Sequence, residues 1–152
     1  MKKAAFSLVE LILIVAFIGI FAVIAVPRIN FAIISKQKAD TVARKIVTDL
    51  RLTRRLAISD AANNTKGFEL HMIGGEPYDS YHIKNRDTGE VLEVHEIDSS
   101  VSVTCPDQHN FRFGPLGNLE AGSGTELTVS AEGKTFTITI IPVTGTVKCV
   151  EN

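Results

Sequence analysis

The chain of 152 residues has no tryptophan, only two cysteines, and no repeat or low-complexity stretch. Cys105 and Cys149 stand far apart, without a CxxC pair or a nearby histidine pair, which argues against a zinc site. The serines lack a nucleophile-elbow motif. Gly74-Gly75 and Gly114-Pro115-Leu116-Gly117 read as turns rather than phosphate loops. His71, His82, His95 and His109 are scattered over expected strands and loops, with no helical metal-ligand spacing. Neither Glu96–Ser100 nor Cys105–Asn110 matches a defined calcium loop. An enzyme needs convergent groups, and none stands out. The expectation is therefore no catalytic residue, no metal and no cofactor.

Charge is absent from one long stretch. Leu11 to Val26 carries no charged or strongly polar residue, and a single carboxylate, Glu10, stands just before it. The run alone makes a helix of roughly 24 Å at about 1.5 Å per residue, and its flanks bring it near the ~30 Å of bilayer hydrocarbon. Lys2 and Lys3 favour a cytoplasmic N-terminus, although Arg28, Lys36 and Lys38 on the other flank weaken that argument. An ordinary secretory signal fails because the run is long and no small-residue cleavage site follows Val26. An ordinary anchor fits but leaves Glu10 unexplained, since a carboxylate beside hydrocarbon is costly without a partner. A soluble core helix lacks the polar face it needs.

The near-neutral total of −1 hides a split. Residues 1–62 hold ten Lys/Arg and four Asp/Glu, net +6, whereas residues 63–152 hold six and thirteen, net −7. The acidic part argues against broad contact with nucleic acid. If that part is exported, Cys105 and Cys149 are expected to form a disulfide that ties the last strand to mid-domain.

After Pro27 the pattern becomes amphipathic. Ile29, Ala32, Ile33, Ala39, Val42, Ala43, Ile46, Leu50, Ala57 and Ala61 recur mostly at spacings of three and four, the mark of a helical apolar stripe. Lys36, Lys38, Arg44, Lys45, Arg51, Arg54 and Arg55 fill much of the rest, either as a solvated face or as a surface for acidic groups of neighbouring subunits. Asn63-Asn64 is the expected stop. Pro27 either ends the span or loosens a turn as a hinge. From Thr65 the chain reads as strands and turns: Gly67–Ile73, Tyr81–Arg86, Val91–Ile97, Val101–Cys105, Phe111–Phe113, Glu126–Ser130, Lys134–Ile141 and Thr146–Val150. Phe136, Ile138 and Ile140 alternate with threonines, and Glu132-Gly133 makes a tight hairpin turn. An amphipathic helix needs a cover, which a one-sided antiparallel sheet supplies. The expected fold is α+β: a long N-terminal α-helix, membrane-spanning in its first half, packed by its second half on an antiparallel β-sheet domain.

The segment Lys2-Lys3-Ala4-Ala5, Phe6, Glu10, apolar run and Pro27 resembles the leader and N-terminal helix of type IV pilins and type II secretion pseudopilins. "VARKIVTDLRLTRRLAISDAANN" before "GFELHMI", then "FRFGPLGNL" and "GTELTVSAEGKTFTITIIPVTGTVKC", are similar to the GspH/FimT-like (H-type minor pseudopilin) branch. The resemblance implies a leader over 1–5, an assembly helix over 6–29, an amphipathic continuation over 30–64 and a β-rich domain over 65–152. It implies cleavage by prepilin peptidase between Ala5 and Phe6, methylation of the Phe6 amine, and an assembly contact between Glu10 and a neighbour's Phe6. Ala5 departs from the usual glycine, and slower processing is expected. The implied partners are prepilin peptidase, other pilin or pseudopilin subunits, the inner membrane and its assembly platform. The implied place is the bacterial inner membrane, with the C-terminal domain periplasmic or extracellular, then a pseudopilus for protein secretion. The branch's basic ending is reduced here to Gly145-Thr146-Val147-Lys148, which turns the expectation away from the alternative, a FimT-like minor pilin that binds DNA for uptake. A membrane-anchored domain outside any filament is the remaining alternative.

Overall fold

The computed structural model describes residues 7–25 and 31–152. The chain divides at Ile33/Ile34 into two units. In the first, α1 covers Leu8–Ala25. Its large apolar side chains from Leu8 to Phe21 are all exposed, from 75% at Leu8 to 47% at Ile14. Among the described residues no helix is long and apolar enough to cross a membrane. The 18 residues of α1 reach only about 27 Å, against ~30 Å of hydrocarbon. Residues 26–30, with the expected helix break at Pro27, lie outside the described residues; the next described helix, α2, covers Phe31–Ser59.

In the second unit α2 buries the middle of the expected stripe, with Val42 and Ala61 partly buried; Ile29 lies outside the described residues. Ala39, Ala43, Ile46, Leu50 and Ala57 are fully buried, and the three alanines let the sheets approach the helix backbone. Ile33, also expected on the stripe, is exposed. The helix ends at Ser59, four residues before the expected Asn63-Asn64 stop, and turns carry the chain on to Asn64. The buried Asn64 side chain accepts from the Gly67 N–H at 2.7 Å and donates to the Gly67 carbonyl and to Asn85 Oδ1, each at 2.9 Å. It thereby folds the chain into the first strand.

Eight strands follow: β1 Phe68–Ile73, β2 Ser80–Asn85, β3 Val91–Glu96, β4 Ser102–Thr104, β5 Asn110–Phe113, β6 Glu126–Ala131, β7 Lys134–Ile141 and β8 Thr146–Glu151. All eight coincide with expected strands to within about two residues. One expectation needs correcting. The strands form two four-stranded antiparallel sheets, β3-β2-β1-β5 and β4-β6-β7-β8, rather than one. β4 leaves its chain neighbours to pair with β6, while β5 returns to β1. Phe111 and Phe113 on β5 lie opposite Leu70 and Phe68, so this pairing completes an apolar face. The β6–β7 turn sits at Glu132-Gly133 as expected, both at positive φ, which suits the right-handed twist of a hairpin. The core joins the α2 stripe to Leu70, Met72, Phe111 and Phe113 of the first sheet and Leu127, Val129, Ile138 and Ile140 of the second.

Candidate functional site

The expected cleavage and methylation residues, Ala5 and Phe6, lie outside the described residues. Glu10 is described. It sits exposed in the first turn of α1, and its backbone N–H bonds the Ser7 carbonyl at 3.0 Å. Apart from Ser7 just before the helix, it is the polar group of an otherwise apolar cylinder from Leu8 to Phe21. A carboxylate there suits the positive end of the helix dipole.

The expected disulfide is not formed: Cys105 is a buried free thiol and Cys149 an exposed one. Sheet order explains it. Thr104 pairs with Thr128, Leu127 with Ile138, and Ile138 with Cys149. The two thiols thus lie at opposite outer edges of one sheet, three strand spacings or roughly 14 Å apart, against a Cα limit near 7 Å for a bridge. Burial, then the Glu76 carboxylate, pushes the Cys105 thiol up to about 12. Iodoacetamide at pH 8 is therefore expected to label Cys149 and spare Cys105 in the folded protein, and to label both in urea. A Cys105–Cys149 cross-linked peptide in a non-reducing digest would contradict this arrangement.

Sequence reasoning missed a buried polar network between α2 and the first sheet. Asp49, 1% exposed, stands on the buried side of α2. It accepts a hydrogen bond from the Tyr81 hydroxyl at 2.7 Å and from the Lys45 ammonium at 2.8 Å. His95 Nε2 lies 3.5 Å from the same carboxylate and 2.9 Å from Glu93 Oε2. The register puts Tyr81 opposite His95 and Ile83 opposite Glu93, so both β3 side chains lie on the α2 side of the sheet, His95 partly buried and Glu93 nearly half exposed. Burial, then the Asp49 hydrogen bond, pushes the Tyr81 hydroxyl far above the usual phenol range, which keeps it a donor. One structural role is plain: inward charge on an outer strand discourages edge-to-edge pairing.

The histidines are less scattered than expected. His71 and His82 lie opposite one another on β1 and β2, with rings stacked at 5.1 Å, and His109 meets His71 edge-on at 4.9 Å. Burial leads in depressing both His71 and His82. The His82 ring adds to the effect at His71, Lys84 acts on both in the same sense, and Glu69 opposes it at both. A histidine depressed in the folded state lets the unfolded chain take up protons first. Its stabilising contribution is whole above the ordinary value of 6.5 and is lost as pH falls through the folded value. The urea midpoint is expected to fall between pH 7.5 and 5.5, and to fall less in a His71→Gln/His82→Gln variant. An equal fall in both proteins would place the pH sensitivity elsewhere.

The basic face of α2 is partly spent on the fold. Arg51 donates to the Val147 carbonyl at 3.1 Å, and Arg54 donates to the carbonyls of Gly117 and Thr144, each at 3.0 Å. Gly145 must be glycine here: φ is +62° and a Cβ would meet the Gly117 oxygen. Beside them a cleft of about 630 Å³ is lined by Arg51, Arg54, Arg55 and Ile58 against Gly145–Val147. Lys38 reaches Asp98 at 2.8 Å, which ties up the acidic loop after β3.

No protein-family model, curated protein or solved structure matches the chain.

Proposed function

We propose that the chain is a minor pseudopilin of a type II secretion system, processed by prepilin peptidase and built into a helical pseudopilus. The observation that carries the reading is α1, a helix apolar on every side from Leu8 to Phe21, with one carboxylate in its first turn. A helix apolar all round belongs in hydrocarbon or among other helices. In this reading residues 6–29 span the inner membrane before assembly, which needs the flanking residues as well as α1. Cleavage after Ala5 frees the Phe6 amine, a cation at the same end as Glu10. Sister helices then replace lipid around α1, and head-to-tail repetition of that contact gives an open filament. The second unit, a helix over antiparallel sheets, is the cargo that the anchor carries to the filament surface.

The test is made in cells that overproduce the host's own pseudopilus. The chain is expected in the isolated filament fraction, dependent on prepilin peptidase and in minor amount. Filaments that form normally and never contain it would overturn the proposal. Purified protein that retards DNA at low salt, with retardation lost as salt rises, would move the reading to the DNA-capturing minor pilin.

A further inference from the structure

We propose that Asp49, Glu93 and His95 form a zinc site that staples α2 to the edge strand β3. One ligand atom from each residue lies within 4.8 Å of the other two. His95 Nε2 stands 3.5 Å from Asp49 Oδ2 and 2.9 Å from Glu93 Oε2. Ligands at Zn–N and Zn–O distances near 2.1 Å in a tetrahedron sit about 3.4 Å apart. The Asp49–His95 edge already has that length. Glu93 is nearly half exposed, so its carboxylate can move back to admit the ion.

Three features of the surroundings favour a cation at this point. Two carboxylates converge on a single ring nitrogen, whose one hydrogen cannot point at both. A dication satisfies both and relieves their mutual repulsion. Next, Asp49 is held by donors that can remain after metal binding: Tyr81 on Oδ2 and Lys45 on Oδ1. A carboxylate oxygen has a second lone pair, so Tyr81 can orient the ligand from outside the coordination sphere. Finally, the β2–β3 register shifts beside Ile83/Lys84, opposite Glu93 and Val91. Irregularities of this kind re-aim side chains next to sites. The donor set, two carboxylate oxygens and one imidazole, suits zinc better than calcium, which takes oxygen alone. With three protein ligands the fourth position stays open toward the exposed Glu93 side, where water completes the tetrahedron.

The experiment uses the full chain, stripped with chelator in detergent and titrated with zinc chloride at pH 7.5. The expected result is one tightly held equivalent and a higher melting temperature with zinc. His95→Gln and Glu93→Gln are each expected to weaken zinc binding at least tenfold while the metal-free proteins keep their melting temperatures within a few degrees. Both residues lie at the accessible rim, so folding does not depend on them as it does on Asp49. His71→Gln tests the rival imidazole cluster on the far face of the sheet and is expected to leave zinc binding unchanged. Zinc binding that survives His95→Gln, or that disappears with His71→Gln, would overturn the assignment. So would the absence of any stoichiometric zinc.

Discussion

Asp49→Ala is expected to destabilise the second unit by about 3 kcal/mol, measured by urea unfolding at pH 7.5. The magnitude follows from what the substitution strands. The Tyr81 hydroxyl is buried and loses its acceptor, whereas the Lys45 ammonium is half exposed and can turn to water. Tyr81→Phe removes one hydrogen bond and leaves Asp49 its lysine, so it is expected to cost about 1.5 kcal/mol. The double substitution should cost less than the two losses together, because both remove the same bond. A change below about 0.5 kcal/mol for Asp49→Ala would mean that the network adds nothing to the fold.

Glu10→Leu carries the other large expectation, and it concerns assembly rather than folding. The substitution makes the described start of α1 more apolar, so membrane insertion and cleavage should persist. In the proposed filament, what disappears is the partner for a neighbouring Phe6 amine. In a hydrocarbon setting an unpaired ammonium is costly. Loss of even about 1.4 kcal/mol per contact lowers incorporation about tenfold. The filament fraction is therefore expected to hold at least tenfold less of the Glu10→Leu protein than of the wild type, at equal membrane levels. Normal incorporation would remove the docking role from Glu10.

What could be read in advance divides along physical lines. The α2 stripe was legible because its period is local: Ala39, Ala43, Ile46 and Leu50 repeat at three and four, and Ala57 follows two turns on, whatever they meet. The β7 alternation and the Glu132-Gly133 turn were legible for the same reason. Partner choice was not. Nothing between Val101 and Phe113 states that β4 joins one sheet and β5 the other, because that depends on which apolar faces remain to be covered. The disulfide expectation failed on this point, since chain position says nothing of the two strands lying between Cys105 and Cys149. Asp49 was hidden by its charge. Among the surrounding Arg44, Lys45 and Arg51 it reads as part of a solvated face, and only the register that sets Tyr81 beneath it shows otherwise. The His71–His82 pair was invisible for a related reason, because cross-strand neighbours appear only once the hairpin register is known. Glu10 belongs to the other class: its oddity is local, a lone carboxylate against sixteen apolar residues, and it was legible from the first line of the sequence.

The proposed role in a pseudopilus requires that the chain be cleaved and methylated as a pilin is. Mass spectrometry of the N-terminal peptide, from protein isolated from membranes that contain prepilin peptidase, tests it most directly. The predicted species begins at Phe6 and carries a methylated amine, and cells lacking the peptidase should yield the chain with residues 1–5 attached. An unprocessed start in the presence of active peptidase, or cleavage after Val26, would contradict it.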